Sequence, residues 1–387
     1  MSEHDETIVC RTGVDADASH GSVMPPLYLS ANYSFADFGE KRAYDYTRSG
    51  NPTRSTLAEA IAKLERGAGA VITSSGMSAV DLVLSQLPAG ALVVATHDCY
   101  GGTWRLLEAR AKKGQVRVRY ANLRDGDEVG AALAQAPALL WIETPSNPRM
   151  RVADIASLAK RAKAAGARVA VDNTFLSPAL QKPIALGADY VVHSTTKYLN
   201  GHSDVVGGAV VAASAADAEQ LAWWANCTGV TGAPFDSWLT LRGLRTLHVR
   251  LERQQATARR IAERLASLRG VAAVHYPGLE SHPDHALAAR QQSGFGAMLS
   301  FELEPGADIR AFTRGLRHFA LAESLGGIES LVAHPATMTH AAMSSEARRA
   351  AGIGDNLLRV SVGLEHPEDL IGDLEAALAR ASARARI

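Results

Sequence analysis

The chain has 387 residues, 47% of them hydrophobic, with forty Lys and Arg against forty Asp and Glu and a formal net charge of zero. That length and apolar content suit two domains sharing an interface, or one large core with an appended lobe. The charge balance removes the broad electrostatic case for nucleic acid or an anionic membrane and leaves small polar molecules as partners.

The acidic, polar start Met1–Thr7 has neither the basic lead nor the apolar core of a signal peptide, and no apolar run reaches membrane-spanning length. Cys10, Cys99 and Cys227 are far apart and in no CxxC arrangement, so neither a disulfide framework nor a thiolate metal site is indicated. A soluble protein of the reducing cytoplasm is the expectation. Residues 1–60 are poor in periodicity and rich in turn formers, Pro25-Pro26 and Ser49-Gly50-Asn51-Pro52 among them. Such a segment cannot bury itself alone and is expected to wrap another surface as an arm.

Thr56–Glu65 carries leucine and alanine at helical spacing and stops at Gly67-Ala68-Gly69. Ala70–Thr73 reads as a strand, Ser74–Met77 as a tight turn and Ser78–Leu87 as an amphipathic helix. A helix start after a glycine turn presents free N–H groups and a positive dipole end, so the amides of Gly76 and Met77 are candidates for holding a phosphate. No GxGxxG and no GxxxxGK(S/T) occurs, which removes the main support for dinucleotide or nucleoside triphosphate binding. The strand Ala91–Ala95 leads into His97-Asp98-Cys99-Tyr100-Gly101-Gly102-Thr103-Trp104-Arg105. Tyr100, at a strand end, is a candidate to lie against a flat heteroaromatic ring, and Arg105 to reach a substrate's distal carboxylate.

Leu139–Glu143 is a strand followed by a loop holding Pro145, Asn147 and Pro148, and Asp154–Gly166 is a helix rich in alanine and lysine. The alternation of strand and helix calls for a mostly parallel sheet with helices on both faces. From Asp217 the pattern turns helical, and Phe235–Leu268 is expected as one long amphipathic stretch with its arginines on a solvated face. Gly296–Leu303 alternates like a half-buried strand, and the helices and short strands expected beyond it suggest a smaller α+β lobe ending in a basic helix end, Arg380–Arg386.

The chemistry concentrates on two further strands. Arg168–Asp172 is an apolar strand ending on an acid, and Tyr190–Val192 is a second, followed by Ser194, Thr196 and Lys197. Open α/β sheets place ligands at the carboxyl ends of such strands. Ser194 and Thr196 offer hydroxyls to an anion there, while Lys197 offers an amine whose pKa must fall far below its solution value before it can attack a carbonyl. A carboxylate facing an amine across neighbouring strand ends is the pairing pyridoxal 5'-phosphate needs, the acid holding the ring nitrogen protonated and the lysine holding the aldehyde.

Asp172 followed by Ser-x-Thr-Lys ending at Lys197 resembles the fold type I pyridoxal phosphate enzymes of cysteine and methionine metabolism, and within them the cystathionine γ-synthase branch. The resemblance runs from about Val23 to the C-terminus. It implies an aspartate aminotransferase-like α/β fold: an arm over residues 1–60 that contacts a neighbouring subunit, a cofactor-binding large domain over 61–245 and a small domain over 246–387. Tyr44-Asp45-Tyr46-Thr47-Arg48 matches the arm motif, which implies that Tyr46 and Arg48 bind cofactor phosphate across a subunit interface and that Asp45 lies at the substrate. Asn147 matches the asparagine at the cofactor's phenolic oxygen, and Tyr100 the stacking tyrosine. Arg359 matches the arginine that grips the substrate's α-carboxylate, Ser324 contacts the same end, and Glu323 occupies the position that separates γ-acting members from others.

The implied reaction is a γ-replacement on an O-acylated homoserine, O-succinylhomoserine, by cysteine, carried out by a homotetramer built from two dimers. Ser49 departs from the pattern, since some synthases carry an arginine there. A γ-lyase, or an enzyme using O-acetylhomoserine, therefore stays open. On residues alone two other classes also stay open: a metal-dependent hydrolase using the x-x-spaced pair His282 and His285, and a non-catalytic scaffold.

Overall fold

A computed structural model describes residues 3–341 and 343–383. The chain opens with α1 (Asp5–Arg11), then runs without helix or strand to α2 (Pro52–Glu65). Asn51 caps α2 by accepting the Arg54 N–H, and Pro52 at its first position needs no hydrogen-bond acceptor, so the helix starts four residues before the expected Thr56.

A large sheet follows, made by β1 (Gly69–Thr73), β2 (Ala91–Thr96), β3 (Val116–Ala121), β4 (Leu139–Glu143), β5 (Arg168–Asp172), β6 (Tyr190–His193) and β7 (Gly208–Ala212) in the order β1-β7-β6-β5-β4-β2-β3. Only β7 runs against its neighbours. Between the strands lie α3 (Gly76–Leu84), α4 (Gly101–Lys112), α5 (Gly126–Leu133), α6 (Ile155–Ala164) and the short α7 (Ser177–Leu180). Strand residues alternate between two apolar layers. Val93, Ala95, Trp141, Ala170 and Val192 pack with Leu82 and Leu107 on one face, while Val94, Leu140, Val171 and Val191 pack with Leu57 and Leu158 on the other.

After β7 come α8 (Ala215–Thr228), α9 (Pro234–Leu244) and α10 (Leu247–Ser267). The single stretch expected over Phe235–Leu268 is thus two helices. The break has a tertiary cause: Gly243 meets the Asn200 carbonyl so closely that a Cβ would sit 2.0 Å from it, and Arg250 takes the Gly243 carbonyl at 2.9 Å. Arg253, Arg259, Arg260 and Arg264 lie on the solvated face of α10 as expected, whereas Arg250 is buried.

The rest builds a second sheet from β8 (Val271–His275), β9 (Met298–Leu303), β10 (Ala320–Leu321), β11 (Leu331–Ala333) and β12 (Leu357–Ser361), in the order β10-β11-β12-β9-β8. Around it lie α11 (His285–Gln291), α12 (Ile309–Arg314), α13 (Ser345–Ala351) and α14 (Pro367–Ala383). β9 is buried on both faces rather than half-buried, because Ser300 donates its hydroxyl to the Pro148 carbonyl at 2.6 Å and so needs no water. The apolar layer over one face of the large sheet continues without interruption into Leu299, Phe301, Val332 and Val360 of the second. Of the expected basic end, Arg384 and Arg386 fall outside the described residues. Among the described residues no helix is long and apolar enough to cross a membrane.

Candidate active site

The parallel strands β2, β4, β5 and β6 deliver their carboxyl ends to one side of the large sheet, where a cavity of about 420 Å³ opens. That is the size of a small-molecule site. Its floor holds two acids, since the register of β4 and β5 sets Glu143 opposite Asp172. Desolvation raises the pKa of both, and for Glu143 the Asp172 charge adds to the effect. The amide of Thr174 donates to Asp172 at 3.0 Å and that of Tyr100 to Glu143 at 2.8 Å.

Lys197 lies four residues beyond β6 and lines the same cavity. Burial, then the nearby Arg359 charge, lowers its pKa to about 8, with Glu323 opposing. Its Nζ donates to Ser324 Oγ at 2.8 Å, and Ser324 holds the left-handed backbone φ of 88°. Arg359, on β12, is 3% exposed and donates to Asn147 Oδ1 at 3.1 Å and to the Ser324 carbonyl at 2.9 Å. Asn147 is held from a second direction, where His340 Nε2 meets its carbonyl at 3.0 Å. Desolvation, then Arg359, lowers the pKa of His340 to about 4, so the ring is neutral. Its Nε2 then carries the proton toward the carbonyl, and Nδ1 accepts from Thr339 Oγ1 at 2.9 Å.

The third corner suits an anion. Ser75 caps α3 by accepting the Ser78 N–H, which leaves the Gly76 and Met77 amides at the helix start without intrahelical acceptors. Gly76 is required because a Cβ would sit 2.7 Å from that of Ser194. Ser194 and Thr196 border the same corner, the Thr196 hydroxyl donating to the Gly207 carbonyl at 3.2 Å and accepting its amide at 3.0 Å. Pyridoxal phosphate fits this set: helix-start amides and a hydroxyl for phosphate, a desolvated carboxylate for a cationic ring nitrogen, and a buried amine of lowered pKa for the aldehyde.

Of the residues singled out from sequence, Gly76, Met77, Tyr100, Asn147, Asp172, Ser194, Thr196, Lys197, Glu323, Ser324 and Arg359 line this one cavity. Asp45, Tyr46, Arg48 and Arg105 do not. Arg48 turns outward to the Asn226 carbonyl and Oδ1 at 2.7 and 2.8 Å, and Tyr46 is 49% exposed. The pKa of Asp45 is pulled to about 2 by Lys41 and then the Ser49 hydroxyl. Arg105 is exposed, though its charge reaches Tyr100.

Sequence reasoning missed Glu143, Thr174, Thr339 and His340. Glu143 gave the same sign as Asp172, an acid ending an apolar strand. His282 and His285 are built into the fold separately. His282 Nδ1 accepts the Asp284 amide at 3.1 Å and His285 Nδ1 meets the Pro277 carbonyl at 2.7 Å. Among the described residues no group of three or more His, Cys, Asp or Glu is arranged to hold a metal ion.

The family model for Cys/Met metabolism PLP-dependent enzymes matches residues 6–379. A cystathionine gamma-synthase of Escherichia coli (strain K12) is 54% identical over 377 residues, 97% of this chain and 98% of that one. A cystathionine beta-lyase of Lactococcus lactis subsp. cremoris (strain MG1363) is 44% identical, covering 96% of this chain and 98% of its own. The crystal structure of cystathionine gamma synthase from Xanthomonas oryzae pv. oryzae in complex with cystathionine superposes with a TM-score of 0.98 at 60% identity, over 99% of this chain and all of that one. The fold, the site and these likenesses agree: the chain belongs to the pyridoxal-phosphate-dependent enzymes of cysteine and methionine metabolism.

Proposed function

We propose that the protein replaces the succinyloxy group on Cγ of O-succinylhomoserine by the sulfur of cysteine, breaking the Cγ–O bond and forming a Cγ–S bond, giving cystathionine and succinate in methionine biosynthesis, the reaction of a cystathionine γ-synthase. What carries this reading is the amine of Lys197, set between Ser324 and Arg359 in the cavity that also holds Asp172 and Glu323. The greater identity to a synthase (54%) than to a β-lyase (44%) supports it.

Pyridoxal phosphate, when bound, supplies an aldehyde for the substrate's amine and a ring that takes up the electrons left as protons leave Cα and Cβ. The Gly76 and Met77 amides with Ser194 and Thr196 would hold its phosphate, Tyr100 its ring face, Asn147 its phenolic oxygen and Asp172 its ring nitrogen. Lys197 takes the Cα proton at Nζ, and its lowered pKa suits a base working near neutrality. Tyr100, whose pKa burial raises, stays protonated and lines the same cavity as a second proton-carrying group. Arg359 and Ser324 hold the α-carboxylate, with the Arg359 fork aimed by its bonds to Asn147 and the Ser324 carbonyl. Glu323 meets the ammonium of cysteine; Asp45, on the arm, and Arg105, whose charge reaches Tyr100, stand outside this cavity, and we assign them to the far end of the substrate.

The outward-facing Tyr46 and Arg48 fit a role in a second copy's phosphate corner, within a homotetramer of two dimers. We assign residues 1–60 to the arm, 61–245 to the cofactor-binding domain and 246–387 to the small domain. Cys10, Cys99 and Cys227 are free thiols, which fits the reducing cytoplasm. The test is steady-state turnover of O-succinylhomoserine and O-acetylhomoserine with cysteine, beside cystathionine alone. Succinate release coupled to cystathionine formation is expected. Faster breakdown of cystathionine to cysteine, ammonia and 2-oxobutanoate would make the protein a γ-lyase, as Ser49 allows.

A further inference from the structure

The turn after β11 borders the cavity through Thr339 and brings in a histidine to which the reaction assigns no part. His340 is fully buried, 193 positions from the Asn147 carbonyl it meets at 3.0 Å. Its other nitrogen is committed to Thr339 Oγ1 at 2.9 Å, and Thr339 itself lines the cavity. The Thr339 carbonyl in turn lies where a Cβ on Gly101 would come within 2.7 Å, so the turn is seated against the start of α4. Asn147 is therefore clamped between two donors from the C-terminal half of the chain, His340 on its carbonyl and Arg359 on its side chain.

A buried imidazole with both nitrogens spent on protein partners has no capacity left for substrate. It contributes by fixing its partners. Arg359 has one fork nitrogen on Asn147 Oδ1 and the other on the Ser324 carbonyl, so the plane of the guanidinium follows wherever Asn147 sits. Bidentate recognition of a carboxylate depends on that plane.

We propose that His340 is a positioning residue for the amino acid's α-carboxylate: by donating from Nε2 to the Asn147 carbonyl it sets Asn147 and, through it, the angle of the Arg359 guanidinium. This rests on the reading of Arg359 as the carboxylate's partner. Loss of the donor lets Asn147 and the fork turn together, at the expense of the carboxylate and not of the amine.

The experiment uses the holoenzyme, its absorption spectrum reporting binding of glycine and of glycinamide, which share an amine but not a carboxylate. His340→Phe keeps the ring and removes both nitrogens, while His340→Gln returns an N–H donor. His340→Phe is expected to weaken glycine about tenfold, equivalent to one good charge-assisted contact, and to leave glycinamide within about twofold. KM for the acylated homoserine should rise by a similar factor with kcat changed less, and His340→Gln should recover most of the glycine affinity. Unchanged glycine affinity in His340→Phe overturns the inference, and so does equal weakening of both ligands, which would mark a purely structural residue. If His340→Phe does not fold, His340→Gln decides alone: retained preference for glycine over glycinamide supports the inference and its loss overturns it. Equal affinity of the unsubstituted enzyme for the two ligands would overturn the carboxylate reading itself, and this inference with it.

Discussion

Lys197 Nζ donates to Ser324 Oγ across 2.8 Å, which joins the loop after β6 to the turn between β10 and β11. The amine is thus oriented by one lobe and carried by the other, in a pocket dry enough to bring its pKa to about 8. Only the neutral amine attacks an aldehyde. Reconstitution of cofactor-free protein with pyridoxal phosphate should therefore speed up as pH rises toward 8 and level off above it, followed by absorbance. A rate still climbing toward the ordinary lysine value of about 10.4 would mean that the pocket does not tune the amine.

Arg48 and Lys197 are expected to serve different sites. Arg48→Ala and Lys197→Ala should each be nearly inactive alone. Mixed, unfolded and refolded together, they should recover about one quarter of the wild-type activity, because half of the dimers are then mixed and each mixed dimer has one intact site. No recovery in refolded mixtures of confirmed dimers would show that Arg48 acts within its own chain.

Beneath the sheet, His193 Nε2 and Glu65 Oε1 lie 2.7 Å apart with both side chains buried, and Asn173 donates to the same oxygen at 2.7 Å. Removing one partner strands the other. Glu65→Ala should lower stability by about 3–5 kcal/mol in urea unfolding, while Glu65→Gln, which keeps the shape and a hydrogen bond, should cost much less.

Acid should weaken the fold through two histidines. Burial lowers both His282 and His340 to about 4, so between about 6.5 and 4 the unfolded chain binds protons that the native chain refuses. Stability from this source is fully present above about 6.5 and lost as pH falls through that window, on the order of 2 kcal/mol for each ring. Urea midpoints at pH 7 and 4.5 measure it, and a variant carrying both His282→Phe and His340→Phe should show a smaller drop if it folds.

The parts of the site that lie at strand ends were legible because local pattern and ligand placement obey one rule. Asp172, Lys197 and the Gly76 turn each close an apolar run, and open sheets bind at such ends. Glu143, which closes the apolar run of β4, obeys the same rule. His340 offered no comparable sign, since nothing near it in sequence points to Asn147. The break between α9 and α10 was equally hidden, because the carbonyl that meets Gly243 belongs to Asn200. The arm showed its lack of periodicity, but not that α1 would bury Ile8 and Val9.

The apolar layer that runs unbroken from Val94 and Leu140 to Phe301 and Val360 ties the melting of the two sheets together. Heat cannot loosen the C-terminal lobe without exposing the underside of the sheet that carries Lys197, so calorimetry should record a single endotherm. Any motion that adjusts Arg359 to a substrate must then be a small tilt on a shared base, with the lobe never coming free.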